Sequence, residues 1–178
     1  MAIEIERRFL VDLNTAGVKT LLDHWDQSKI EQGYLGSGTR VRTIIEHDVY
    51  DGDTTKTGKI TVKIPAGHGT NKEFEYTIPY SDAAEILEHC EFKISKTRFY
   101  NDIEDDLVIE LDVFDGELYG LAIAEIELMS IDQKFSIPSW FGLEVTGIPA
   151  YSNYALASSR HKQEFVAMSY DAVAFHSC

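Results

Sequence analysis

Charged and apolar residues alternate along the first strand-like segment of the chain. In EIERR, Glu4, Glu6 and Arg8 occupy every second position, and Ile3, Ile5 and Phe9 fall at alternate positions of the other set. Alternate side chains of a β-strand point to opposite faces, so the three charges would share one face of a strand over residues 2–11. Taken alone, such a run most often marks a solvated face.

The alternation recurs in six further segments. Each has two ionisable residues two or four positions apart with mostly apolar residues around them. These pairs are Arg40 and Arg42, Lys59 and Lys63, Glu73 and Glu75, Lys96 and Arg98, Glu110 and Asp112, and Glu125 and Glu127. Each pair carries a single sign of charge, whereas a solvated face usually mixes signs with uncharged polar residues.

The pattern predicts a β-dominated α+β fold. Helical spacing of apolar residues predicts helices within 13–25, capped by Asn14 or Thr15, within 81–90 and within 155–169. Strands are predicted over 2–11, 29–35, 39–45, 59–64, 72–78, 94–102, 107–114 and 121–129. No repeat or linker interrupts the chain, so we expect a single domain over residues 1–178.

Two arrangements of these strands fit the pattern. If the apolar faces point outward beneath the helices, the charges line the lumen of a closed barrel. Carboxylate pairs there would suit hard divalent cations, and arginines and lysines would suit phosphate oxygens. Such a lumen would bind a metal–polyphosphate complex. An antiparallel sandwich with one wet face would show the same alternation.

Composition narrows the function classes. A net charge of −14 argues against nucleic-acid binding, because an acidic surface repels phosphate backbones. The chain has only two cysteines, no signal-peptide pattern and no apolar run of spanning length. We therefore expect a cytoplasmic protein with no membrane partner.

The ordered set of charged pairs resembles the CYTH superfamily, the triphosphate tunnel metalloenzymes. The resemblance begins at the E-x-E-x-K/R pattern of Glu4, Glu6 and Arg8, and it continues through ELDVFDG (110–116), AEIE (124–127) and YSNYALA (151–157). It spans about residues 2–159, leaving a C-terminal tail at 160–178. It implies an eight-stranded antiparallel β-barrel, a tunnel with helices packed outside, that binds triphosphate with Mg²⁺ or Mn²⁺.

The resemblance also assigns roles to individual residues. Metal would be held by Glu4, Glu6, Glu125 and Glu127, helped by Asp112 and by Glu110 or Glu75. Phosphates would be bound by Arg8, Arg40, Arg42, Lys63, Lys96 and Arg98. The nucleophile would be a water activated by metal and a carboxylate, with Glu75 as a catalytic candidate. Lys96 or Tyr34 would assist departure of the leaving phosphate.

Family members differ in substrate, and IEQGYL (30–35) resembles the short bacterial branch that hydrolyses inorganic triphosphate. The alternatives are a class IV adenylyl cyclase, a nucleoside or thiamine triphosphatase, and a non-catalytic polyphosphate- or nucleotide-binding module. Two departures from the family pattern stand out. Arg8 replaces the usual Lys, and Ser152 and Tyr154 stand where related bacterial sequences often carry Lys. The sequence leaves a homodimer open.

Overall fold

The computed structural model describes residues 5–36, 39–47, 54–67, 70–103, 107–130, 132–162 and 166. Its strands are β1 (Ile5–Val11), β2 (Asp26–Gly36), β3 (Thr39–His47), β4 (Thr54–Gly67), β5 (Thr70–Ile78), β6 (Phe92–Ile103), β7 (Leu107–Phe114), β8 (Ala122–Leu128) and β9 (Phe141–Glu144). The α-helices are α1 (Val18–Leu22), α2 (Tyr80–Glu88) and α3 (Asn153–Ser158). Short 3-10 helices form at Gly116–Leu118 and Pro149–Tyr151.

All the described strands belong to one antiparallel sheet in the order β5-β4-β3-β2-β6-β7-β8-β1-β9. The predicted β-dominated α+β fold is confirmed. Within the described residues the sheet stays open between β5 and β9, so closure into a barrel of eight strands is not confirmed. The unpredicted ninth strand, β9, pairs with β1, and its four residues are too few to show an alternating pattern.

The outer face of the sheet is apolar, as the alternation predicted, and two parts of it are covered, whereas Phe74 and Tyr76 of β5 are exposed. On one half, α1 and the segment around Trp140 pack on alternate residues of β7 and β8, among them Ile109 and Ile126. On the other half, α2 buries Ala83 and Leu87 against β4. Each fully buried Leu or Ile contributes roughly 1.5–3 kcal/mol, which offsets part of the cost of ordering the chain.

Two glycines let α2 and the turn after it approach the sheet closely. A Cβ on Gly33 would lie 2.7 Å from both Cβ and Sγ of Cys90, and one on Gly58 would lie 2.5 Å from Cβ of Ala83. Both distances are shorter than real Cβ atoms show. Gly33 of the IEQGYL segment is therefore a packing requirement of the outer face.

The inner face of the curved sheet changes character along its length. Near α3 it is apolar, where Leu10, Phe114 and Ile123 pack with Leu156 in a buried cluster. Farther along the same strands the inward side chains are charged. The apolar cluster and α3 therefore lie on the inner face beside the charged residues, which corrects the expectation that the helices pack only outside the sheet.

The helices are shorter than the spacing of apolar residues predicted. The first begins only at Val18, because Gly17 adopts a left-handed conformation with φ of 89°. The third, α3, ends at Ser158, although Lys162 and Val166 are again helical, and most of the predicted 160–178 tail lies outside the described residues. Within the described part of the chain, no helix has the length and apolar character needed to cross a membrane.

Candidate active site

The inward side chains of β1–β8 line one cavity of about 660 Å³. Its charged walls consist of Glu6, Arg8, Arg40, Arg42, Lys59, Glu73, Glu75, Lys96, Arg98, Glu110, Glu125 and Glu127. Side chains two apart on a strand share a face, so the members of a pair project to the same side. Residues from eight strands of the sheet line the same cavity, so the sheet must curve around it.

A buried ion-pair network lies at the wall formed by β6, β7 and β8. The Arg98 guanidinium donates from Nε to Oδ1 of Asp112 at 2.7 Å and from Nη2 to Oε2 of Glu125 at 2.9 Å. It also pairs with Glu110 through Nη1, and Lys96 Nζ donates to Oδ2 of Asp112. Cross-strand register produces this network, because Arg98 lies opposite Asp112 and Glu110 lies opposite Glu125.

Burial and neighbouring charges shift the protonation equilibria of this wall. Burial lowers the pKa of Lys96 to about 8, with Arg98 adding to the effect and Asp112 opposing it. Burial would raise the pKa of Asp112, but Arg98 and Lys96 outweigh it and hold that pKa well below its usual range. Burial raises the pKa of Glu110 even though Arg98 opposes the change. Lys96 thus keeps its charge at neutral pH beside an ionised Asp112.

The wall formed by β3, β4 and β5 contributes Arg40, Arg42 and Lys59 to the cavity, alongside the carboxylates Glu73 and Glu75. Arg40 Nη2 pairs with Glu73 at 3.1 Å, and Lys59 Nζ pairs with Glu75 at 2.9 Å. Arg42 also pairs with Glu75. The Nε atoms of Arg40 and Arg42 are buried and have no hydrogen-bond partner among the described residues. Both guanidinium groups line the cavity, and these two donors remain unsatisfied within the described residues.

Arg8 extends the cationic lining onto β1. Its guanidinium pairs with Oε1 of Glu125 at 2.5 Å, and its Nη1 donates to the carbonyl of Tyr151 at 2.8 Å. Its Nε is buried without a hydrogen-bond partner in the described chain. The planar guanidinium of Arg8 therefore contacts both Glu125 and Tyr151, the latter in the segment before α3. The compact ammonium of a lysine could not make both contacts.

Carboxylates gather on β7, β8 and β1. Glu6 lies directly opposite Glu127, and Glu110 lies opposite Glu125. Like charges placed opposite each other destabilise a sheet unless a cation compensates them, and Arg98 pairs with both Glu110 and Glu125. No three such groups in the described residues already converge on one point. Mg²⁺ needs only one or two carboxylates beside water and substrate phosphates, so this donor set fits it.

Tyr34 and α3 form the closed end of the cavity. The Tyr34 ring meets the Tyr154 ring edge-on, with centroids 5.2 Å apart, and Gln32 Nε2 donates to the Tyr34 hydroxyl at 2.5 Å. Burial raises the pKa of Tyr34 to about 12. Tyr34 is therefore a neutral phenol at physiological pH, able to donate its proton in a hydrogen bond.

The structure places most of the predicted site residues together. Eleven of them line the cavity: Glu6, Arg8, Tyr34, Arg40, Arg42, Glu75, Lys96, Arg98, Glu110, Glu125 and Glu127. Asp112 is the exception, since it lies behind Lys96 and Arg98 and does not line the cavity. Glu4 lies outside the described residues, and for Lys63 only the strand position, opposite Glu73, is described.

Several lining residues had no role predicted for them. Lys59 and Glu73 belong to the alternating pairs, so the pattern had already placed them on the inner face. Gln32 lies two residues before Tyr34 on one strand, and that spacing was a usable signal. Tyr100 and Asn153 also line the cavity, and no charge pattern marked them.

Comparisons with known proteins place the chain in a family. No family model matches it. It is 35% identical over 167 residues to the inorganic triphosphatase of Acetivibrio thermocellus, covering 91% of this chain and 97% of that protein. It is 34% identical over 159 residues to the inorganic triphosphatase of Nitrosomonas europaea, covering 88% and 97%.

Solved structures agree with these relatives. The crystal structure of the inorganic triphosphatase NE1496 superposes with a TM-score of 0.60 at 30% identity, covering 89% of this chain and 97% of that one. The PH1819 protein of Pyrococcus horikoshii OT3, at 19% identity and a TM-score of 0.50 over 72% and 80%, shares the fold. The chain therefore belongs to the CYTH family of triphosphate tunnel metalloenzymes, in its branch of short bacterial inorganic triphosphatases.

Proposed function

We propose that this protein hydrolyses inorganic triphosphate to diphosphate and phosphate with a divalent metal, Mg²⁺ or Mn²⁺. The observation that carries the proposal is one cavity lined by Arg8, Arg40, Arg42 and Arg98 together with the carboxylates Glu6, Glu110, Glu125 and Glu127. Arginine binds phosphate oxygens through parallel N–H donors. The relatives named inorganic triphosphatase support the choice of substrate.

The basic and the acidic residues would have separate roles. Arg8, Arg40, Arg42 and Arg98 would bind the phosphate oxygens, and Lys63 would assist them. Metal would be held by Glu4, Glu6, Glu110, Glu125 and Glu127. When bound, the metal neutralises phosphate charge and lowers the pKa of a coordinated water.

Hydrolysis then requires one displacement at a terminal phosphorus. The water oxygen forms a bond to phosphorus while the bridging P–O bond breaks, and its electron pair leaves with diphosphate. Glu75, held ionised by Lys59 and Arg42, would orient the water and receive its proton. Lys96 and the neutral Tyr34 would donate hydrogen bonds to the leaving oxygen, stabilising the charge that develops there.

Phosphate release from a panel of substrates with Mg²⁺ and Mn²⁺ tests this proposal. Wild type should release phosphate from triphosphate, and Glu127→Gln should lose most of that activity. The matched control is Glu144→Gln, because Glu144 pairs with Arg7 on the outer side of β1 and should leave turnover near wild type. Cyclic AMP from ATP would indicate a cyclase, and ADP with phosphate a nucleoside triphosphatase. Triphosphate binding without turnover under every metal would indicate a binding module.

A closed eight-stranded tunnel remains part of the proposal, supported by the cavity that β1–β8 share. So does a single domain over residues 1–178 that acts in the cytoplasm without nucleic-acid or membrane partners. The homodimer left open by the sequence would be decided by light scattering on the purified protein.

A further inference from the structure

Asp112 occupies an unusual position for a carboxylate predicted to bind metal. It projects from β7 on the same side as Glu110, yet its exposed fraction is 0% and it does not line the cavity. Its cross-strand neighbours are Arg98 on β6 and the buried Ile123 on β8. Asp112 therefore lies one layer behind the cavity wall.

Both oxygens of Asp112 are occupied by cationic donors. Oδ1 accepts from Nε of Arg98 at 2.7 Å, and Oδ2 accepts from Nη2 of Arg98 at 2.8 Å. Oδ2 also accepts from Nζ of Lys96. A carboxylate that grips a guanidinium with two parallel bonds fixes its plane as well as its position. A metal ion could reach Asp112 only by displacing both cations.

The two cations need such an anchor. Lys96 and Arg98 extend from the same strand face, are 2% and 9% exposed, and repel each other. Asp112 contacts the Lys96 ammonium directly, whereas Glu125 acts on it only through its charge. A buried carboxylate between the two cations offsets their repulsion and prevents either side chain from turning away from the cavity.

We propose that Asp112 is a positioning residue that holds Lys96 and Arg98 in the orientation that receives the substrate phosphates, and that it is not a metal ligand. The inference rests on the proposed triphosphatase function. The two inward carboxylates of β7 then have different roles. Glu110 lines the cavity, whereas Asp112 lies behind the cavity wall and holds the two cations.

The test compares Asp112→Asn with Glu127→Gln. We expect Asp112→Asn to lower kcat/KM for triphosphate by up to about 100-fold, the effect of misplacing substrate-positioning groups. The half-saturating metal concentration should stay at the wild-type value. Glu127→Gln should raise that concentration instead. A metal shift in Asp112→Asn as large as that in Glu127→Gln, or an unchanged kcat/KM, would overturn the inference.

Asp112→Asn leaves two buried cations without their anion and can fail to fold, so Asp112→Glu is the second variant. It keeps the charge but moves the carboxylate by one methylene, and it should lower kcat/KM with the metal requirement unchanged. Unaltered kcat/KM in a folded Asp112→Glu protein counts against positioning.

Triphosphate binding measured by calorimetry in EDTA separates this inference from the proposed function. An inert wild type would reject the triphosphatase proposal alone. Weaker metal-free binding by either folded Asp112 variant would still support positioning, and binding equal to wild type would reject it.

Discussion

Arg7 and Arg8 are adjacent arginines on opposite faces of β1, so they form an internal control for the role of the cavity. Arg7 points outward and makes a two-pronged pair with Glu144 at 2.8 and 2.6 Å. Arg8 points inward and pairs with Glu125. Both are arginines in ion pairs, and they differ chiefly in whether the guanidinium reaches the cavity. We predict that Arg8→Gln impairs catalysis and that Arg7→Gln does not.

The magnitude for Arg8→Gln follows from the contacts it loses. A hydrogen bond from a charged donor to phosphate contributes about 1.5–3 kcal/mol, which is roughly 10- to 150-fold in kcat/KM. Removing one partner of a buried ion pair costs about 3–5 kcal/mol of stability when the other is left alone. Glu125 keeps its bond to Arg98, so the loss of stability should fall below that range.

Arg7→Gln should affect stability alone. Arg7 and Glu144 are 31% and 40% exposed as side chains, and such pairs contribute about 0.2–1 kcal/mol. The Arg7 guanidinium also lies 5.0 Å from the Phe9 ring centroid, a cation–π contact of about 0.5–1 kcal/mol. Urea unfolding would measure these losses, and phosphate release would measure kcat/KM. Equal loss of kcat/KM in both variants, or none in Arg8→Gln, would refute the placement of Arg8 at the substrate.

Four further predictions test the protonation of the site and the packing around it. Activity that depends on the Lys96 ammonium should fall as pH rises through about 8, and Lys96→Arg should move that fall to higher pH. If the fall in activity stays at the same pH in Lys96→Arg, it belongs to another group. Because the folded-state pKa lies below the unfolded value of 10.5, the Lys96 contribution to unfolding free energy should also decrease as pH falls from 10.5 to 8. Tyr34→Phe should cost about 1–3 kcal/mol in urea unfolding, since it leaves the buried Gln32 amide without its acceptor, and no loss would contradict that bond. Gly33→Ala should destabilise by about 1–3 kcal/mol through its clash with Cys90, and a variant as stable as wild type would show that the turn after α2 can shift.

The residues of the inner face could be predicted because side chains of a strand alternate strictly between its two faces. Once Lys96 was assigned inward, Arg98 had to follow, and the same holds for Glu125 and Glu127. The segregation of charge by strand then distinguished an enclosed site from a solvated face. Eleven predicted residues meet in one cavity for this reason.

The sequence could not predict which inward residues of a strand line the cavity and which are buried behind its wall. Glu110 and Asp112 have the same spacing and the same sign, yet one lines the cavity and the other is buried behind two cations. That difference depends on the register that places Asp112 opposite Arg98, which is a long-range pairing. The start of α1 was mispredicted for a local reason, since Gly17 adopts a left-handed conformation and is the N-cap in place of Asn14 or Thr15.

Charge is distributed unevenly between the cavity and the rest of the molecule. The charged side chains lining the cavity comprise six cations and six carboxylates, whereas the whole chain carries a net charge of −14. Most of the acidic excess therefore lies elsewhere and opposes the approach of long polyanions such as nucleic acid. Inside, cations and carboxylates line one space in equal number, so a ligand fits best if it presents both anionic oxygens and a cation. A short polyphosphate carrying a divalent metal has both parts, and a free phosphate chain or a free metal ion has only one.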